Sequence, residues 1–175
     1  GGGAGIQADL KAFAAAGCEA VVSRDEKVLR AAERLVLPGV GAFGACMKAL
    51  SERGFDQLVK ERVSEGTPLL GVCVGMQLLF ETSDEFGATP GLGLLRGRVR
   101  RFDDQLVVPH VGWNRVEQVT NHFLFDHVAD QSHFYFVHSY AAMDLEVLQQ
   151  AGAKVTTASH DEPFAAAVEL GSLAV

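Results

Sequence analysis

Long apolar runs are missing from this chain. None approaches the ~18 consecutive apolar residues that a membrane-spanning helix needs, and the N-terminus reads Gly1-Gly2-Gly3-Ala4-Gly5, not a charged segment followed by an apolar one. Neither a membrane anchor nor export is expected, and a cytoplasmic location is the default. Cysteine is scarce as well. Cys18, Cys46 and Cys73 form neither the even set of a disulfide framework nor the closely spaced pairs of a zinc site, so no metal or other cofactor is expected. Basic charge is in deficit, with 15 Lys plus Arg against 22 Asp plus Glu and a net charge of -7. A surface of that sign repels phosphate backbones and anionic membranes, which argues against nucleic acid or a membrane as a partner. Internal repeats and low-complexity segments are absent too.

What the chain does have is material for a core. Hydrophobic residues make up 48% of its 175 positions, enough for one domain and too little length for two. Ala8 to Ala16 is predicted as a helix that Gly17 ends, Glu19 to Val22 as a strand and Glu26 to Arg34 as a helix. Leu35 to Leu37 is a short strand stopped by Pro38-Gly39. Phe43 to Arg53 and Phe55 to Ser64 are helices broken at Gly54, Leu69 to Val72 is a buried strand, and Val74 to Glu81 is its helix. In the second half Leu94 to Phe102, Leu106 to His110, His133 to Tyr140, Lys154 to Ser159 and Phe164 to Val168 all read as strands. The alternation predicts an α/β fold with a central, mostly parallel sheet and an antiparallel extension, its ligands bound beyond the carboxyl ends of the strands. Pro38 to Gly41 and Cys73 fall at such ends.

Gly71-Val72-Cys73-Val74-Gly75 is a Gly-x-nucleophile-x-Gly arrangement with Cys in place of Ser, set between a buried strand and a helix. The turn holds its nucleophile in a strained conformation, and residues without side chains two positions away on either side leave room for it. A position at a helix N-terminus favours thiolate and so reactivity, and the Val74 N–H can point to where an oxyanion forms. Cys18 and Cys46 lack such flanks and read as ordinary structural cysteines.

Those residues, extended through Met76-Gln77, resemble the nucleophile segment of class I glutamine amidotransferases, in the form found in the glutaminase of imidazole glycerol phosphate synthase. Leu37-Pro38-Gly39-Val40-Gly41-Ala42-Phe43-Gly44, Pro109-His110-Val111-Gly112-Trp113-Asn114 and Phe134-Tyr135-Phe136-Val137-His138-Ser139-Tyr140 match further family segments in order. The resemblance implies a flavodoxin-like three-layer fold over residues 1–175 as a single domain. It also implies a glutaminase that hydrolyses glutamine to glutamate and ammonia for a partner cyclase (β/α)8 barrel, in a heterodimer serving histidine biosynthesis. Residue by residue, Cys73 matches the nucleophile, and Val40, Gly41 and Val74 match the oxyanion donors. Gly41, Gln77, His138, Ser139 and Tyr140 match the glutamine site. Pro109, His110, Trp113, Asn114 and Tyr135 match the face toward the barrel. The alternatives are another amidotransferase subunit, of anthranilate or aminodeoxychorismate type, or a catalytically incomplete binding subunit.

Two family features have no counterpart. The triad His and Glu stand in a Phe-His-Pro-Glu-type run that does not occur here, and the first strand, ending in Asp-Tyr-Gly, has none either, so the natural polypeptide is expected to be longer. His160-Asp161-Glu162 is a His-x-Glu but lies in a turn-like stretch, and His138 is expected to act as a strand residue beside the substrate site and not as the base. Arg96, Arg98, Arg100 and Arg101 form a basic stripe that is either a solvated face or a docking patch for an acidic rim.

Overall fold

A computed structural model describes residues 6–118 and 122–175. Helices α1 (Ile6–Ala15) and α2 (Glu26–Ala31) precede strand β1 (Leu35–Gly39). Helices α3 (Phe43–Ser51) and α4 (Phe55–Ser64) lead to β2 (Leu69–Cys73), the single turn α5 (Val74–Gln77), β3 (Phe80–Ser83), β4 (Thr89–Pro90) and β5 (Leu95–Arg101). Beyond these come β6 (His110–Arg115), β7 (His133–His138), β8 (Tyr140–Ala142), helix α6 (Leu145–Gln150), β9 (Lys154–His160), β10 (Glu162–Leu170) and β11 (Leu173–Ala174).

The five-stranded sheet runs β1-β2-β11-β10-β9. β2 is parallel to both β1 and β11, while the β11–β10 and β10–β9 pairs are antiparallel. A parallel half thus carries an antiparallel extension. A second sheet, β4-β3-β5-β8, and the two-stranded ribbon β6–β7 complete the architecture. The main core joins Leu69, Leu79, Leu95, Val99, Leu148 and Val168 across both larger sheets. A second cluster, around Phe102, Val116 and Phe164, lies under the ribbon.

Several expected boundaries shift, each for a physical reason. Glu19 to Val22 forms no strand. It joins none of the sheets among the described residues, and Val21 and Val22 stay exposed. The expected helix Val74 to Glu81 is a single turn, because Leu78 to Phe80 is drawn into a second buried layer. There Leu92 and Leu94 donate their N–H groups to the Leu78 and Leu79 carbonyls, and β3 lies parallel to β5. Leu106 to Pro109 is irregular and the strand starts at His110, one segment later than expected. The apolar run His133 to Tyr140 divides at Ser139 because it changes partner, from β6 for β7 to β5 for β8.

Candidate active site

The site grows from the end of β2. Leu69 and Gly71 are buried within the sheet, and the chain then turns at Cys73 with φ 58° and ψ -123°. This conformation is rarely adopted by residues with a side chain and costs on the order of 1–3 kcal/mol. Neighbouring glycines make the turn possible. A Cβ on Gly75 would run into the Leu37 carbonyl, and one on Gly39 would lie 2.5 Å from the Gly75 nitrogen. The backbone of β1 therefore packs directly on the turn, with Gly39 opposite Cys73 in the parallel register. That contact sets Val40 and Gly41, which follow Gly39, beside the nucleophile turn. Val40 is 81% exposed, Gly41 has φ 106°, and the Val40 carbonyl accepts a hydrogen bond from Cys46 Sγ at 3.5 Å. Cys46 is half-buried, and burial, followed by the nearby Glu85 charge, raises its thiol pKa.

On the other side Gln77, at the end of α5, donates from Nε2 to the Tyr140 carbonyl at 3.1 Å. This bond ties the Cys73 turn to the β7–β8 junction and brings Gln77 to the segment His138, Ser139 and Tyr140. His138 sits behind that junction. Its Nδ1 is 3.0 Å from the Tyr140 carbonyl and its Nε2 is 2.9 Å from His110 Nδ1. Burial pushes the pKa of His138 down to about 4. With both ring nitrogens engaged and the ring held neutral, His138 is not placed to relay a proton for Cys73. His160 bonds the Val107 carbonyl through Nε2 and stacks on His110. It ends β9 just before Asp161, whose φ of 59° makes a tight reversal into β10. The His-x-Glu run is thus a hairpin turn. The three imidazoles do not make a metal site, and among the described residues no such cluster occurs.

The sequence reading missed one site residue. Ala42, the cap position of α3, offers no side-chain acceptor, and Glu85 supplies it from another element, its Oε2 accepting from the Phe43 N–H at 2.6 Å. The carboxylate thereby secures the chain just past Val40 and Gly41. An uncapped helix start directly after a glycine loop is the available signal, but the partner lies beyond Glu81, in a stretch to which periodicity assigns no element.

The face expected to meet a barrel is divided by the ribbon's alternation. Val111, Trp113, Tyr135 and Val137 point outward. Trp113 is 70% exposed, which excludes a core role, and its ring meets that of Tyr135 at 5.6 Å. His110 is only 7% exposed and faces inward, and Asn114 lies on the same inner side, bonding Ser159. His110 therefore does not present its ring to a partner, contrary to the expected face, while Asn114 is half-exposed and Pro109 is exposed at the ribbon's start. In the basic stripe Arg98 pairs with Asp84 and Asp144, Arg100 with Glu162 and Arg101 with Asp104. Most of its charge is thus paired with nearby carboxylates.

The class-I glutamine amidotransferase family model matches residues 7–174, which take in the strained strand-to-helix turn at Cys73 and the glycine-ended strand packed on it. Among relatives, the imidazole glycerol phosphate synthase subunit HisH of Mycobacterium tuberculosis is 43% identical over 99% of this chain and 83% of its own length. The HisH of Sulfurimonas denitrificans is 46% identical over 75% of this chain and 66% of its own. The chain belongs to the class-I glutamine amidotransferases and, within them, to the HisH family. A solved structure described as glutamine amidotransferase shares the fold, with a TM-score of 0.73 at 23% identity over 96% of this chain and 81% of that one. The glutaminase domain of Trypanosoma brucei CTPS follows at 0.54, with 17% identity, 85% of this chain and 62% of that one. No helix among the described residues is long and apolar enough to cross a membrane.

Proposed function

We propose that the chain is the glutaminase subunit of an imidazole glycerol phosphate synthase, working in the cytoplasm and passing ammonia to a cyclase (β/α)8 barrel for histidine biosynthesis. The observation that carries this reading is the Cys73 turn, with φ 58° and ψ -123°, in a chain whose HisH relatives match it over most of its length.

The chemistry follows from that turn. Cys73 Sγ, as thiolate, attacks the carbon of the glutamine side-chain amide. The tetrahedral oxyanion is received by backbone N–H groups of Val74 and of the Val40–Gly41 strand, the kind of donor that stabilises developing charge better than water does. Collapse with a proton delivered to nitrogen breaks the C–N bond, releases ammonia and leaves a γ-glutamyl thioester. Water then splits the thioester to glutamate and regenerates the thiol. Gln77 and the backbone of His138, Ser139 and Tyr140 hold the amino-acid end of the substrate. Trp113 and Tyr135 suit an anchor for the barrel, since exposed aromatics on a rigid ribbon make strong interface contacts at little entropic cost.

A glutamine-analogue electrophile, applied to the complex with the cyclase, tests the assignment. The expected result is a single adduct on Cys73, with Cys18 and Cys46 unmodified, and loss of ammonia release in step with labelling. An inert Cys73 would sink the reading in favour of a binding subunit. Ammonia release governed by chorismate, not by the cyclase's nucleotide, would favour the anthranilate-type alternative.

A further inference from the structure

Behind the glutamine site, hydrogen bonds join Asn114, His110, His138 and Tyr140 in a row, and their polarity is decided at both ends. The Tyr140 carbonyl can only accept, so the His138 Nδ1 that lies 3.0 Å away carries a proton. The same carbonyl uses its other lone pair for Gln77 Nε2 at 3.1 Å. Asn114 Nδ2 lies 2.7 Å from the Ser159 carbonyl and 3.3 Å from His110 Nε2, while Asn114 Oδ1 accepts from the Arg115 N–H at 2.8 Å. The Asn114 amide orientation is thereby fixed, with its nitrogen toward His110, which leaves His110 Nε2 as an acceptor. The proton between the two rings, 2.9 Å apart, then sits on His110 Nδ1 and points to His138 Nε2. Every donor faces an acceptor, with both imidazoles neutral and both in the Nδ1–H form, the less populated form of free neutral imidazole.

The surroundings enforce this arrangement. Phe102 and Phe164 meet His138 edge-on at 5.1 Å and 4.8 Å, and Phe136 stacks on His110 at 5.5 Å. The titratable group against the pair is His160, stacked on His110 at 4.4 Å. A proton added to His138 would turn its Nε2–H against the His110 Nδ1–H, and burial opposes that charge.

We propose that His110 and His138 are positioning residues for glutamine, fixing through this one-way row of donors the Tyr140 carbonyl that orients Gln77. The proposal rests on the glutaminase reading of the site, and it reaches beyond that reading by giving the inner side of the ribbon a task in substrate binding. Neither imidazole touches the reacting atoms.

Two measurements on the full-length chain bound to its cyclase test it. With histidine labelled in both ring nitrogens, nuclear magnetic resonance is expected to show His110 and His138 protonated on Nδ1 and bare on Nε2, with a ¹⁵N–¹⁵N coupling across the bond between His110 Nδ1 and His138 Nε2. Either ring found in the Nε2–H form overturns the proposal, whatever the fate of the glutaminase assignment. In kinetics, His110→Ala is expected to raise the KM for glutamine about tenfold while kcat changes less than about threefold, as loss of one positioning hydrogen bond implies. Made on top of Gln77→Ala, it should add no further rise, because both act through one carbonyl. An unchanged KM, or effects that multiply, would count against it. If the unsubstituted complex fails to release ammonia, the function is wrong and the ring protonation still decides the row.

Discussion

Around Cys73 the backbone does the positioning, whereas around His138 side chains do it. At the nucleophile turn, Gly39 and Gly75 let two main chains approach until no Cβ fits between them, and the strained cysteine conformation is held by strand pairing on both sides of β2. In the ribbon, Asn114, His110 and His138 come from two strands and are joined by side-chain hydrogen bonds over a bed of phenylalanines. The first region is rigid because any added atom collides. The second is ordered because any misplaced proton leaves a buried polar group unsatisfied. The two devices meet where Gln77 Nε2 donates to the Tyr140 carbonyl.

The sharpest way to break the comparison is Gly75→Ala. The added methyl would overlap the Leu37 carbonyl, and since a backbone carbonyl of a paired strand cannot move aside, the loss is expected to reach roughly 4 kcal/mol. Thermal unfolding should register it, together with loss of glutamine turnover. A variant that folds normally would mean that β1 and the turn are more loosely joined than their packing implies.

Acid probes the other region. Burial holds the His138 pKa at about 4, below its ordinary 6.5, so the folded chain binds fewer protons than the unfolded one between those values. Its contribution is fully present above about pH 6.5 and is lost as pH falls toward 4, by at most about 3 kcal/mol. His110, also depressed by burial, adds in the same direction. Denaturant titrations across this window should show a slope that His138→Gln reduces. A slope that the substitution leaves untouched would place the acid sensitivity elsewhere.

The smallest effect on stability, and a selective one on assembly, is expected from Trp113→Ala. The side chain is 70% exposed, so unfolding should shift by no more than about 0.5 kcal/mol, while affinity for the cyclase falls by about 2 kcal/mol. Calorimetry of the two processes separates them. Equal losses in both would return Trp113 to a structural part.

These two regions also differed in how far they could be read from the amino-acid order. Gly71, Cys73 and Gly75 are close together in the chain and meet steric demands that are local, so the turn and its place at a strand end were legible. The alternation of Val111, Trp113, Tyr135 and Val137 belongs to the ribbon, but sequence pattern puts the strand at Leu106 to His110 where it begins at His110, and the resemblance puts His110 on the partner face where its ring turns inward. Register across two strands is set by contacts between residues far apart in sequence, and a shift of one residue exchanges the faces. Helix α5 was overextended for a similar reason. Leu78, Leu79 and Phe80 suit a buried helix or a buried strand equally, and their hydrogen bonds with Leu92 and Leu94 made the choice.

By itself, the sequence determined an acidic, cysteine-poor α/β chain with a tight Gly-x-Cys-x-Gly turn and the segments of the glutamine amidotransferase family, because composition and short motifs obey sterics acting over a few residues. Only the tertiary structure decided that Gly39 lies against Gly75, that Glu85 caps the helix after Val40 and Gly41, and that His110 turns inward to His138. Each of those contacts joins elements separated by dozens of residues, and their geometry exists only once the sheets have packed.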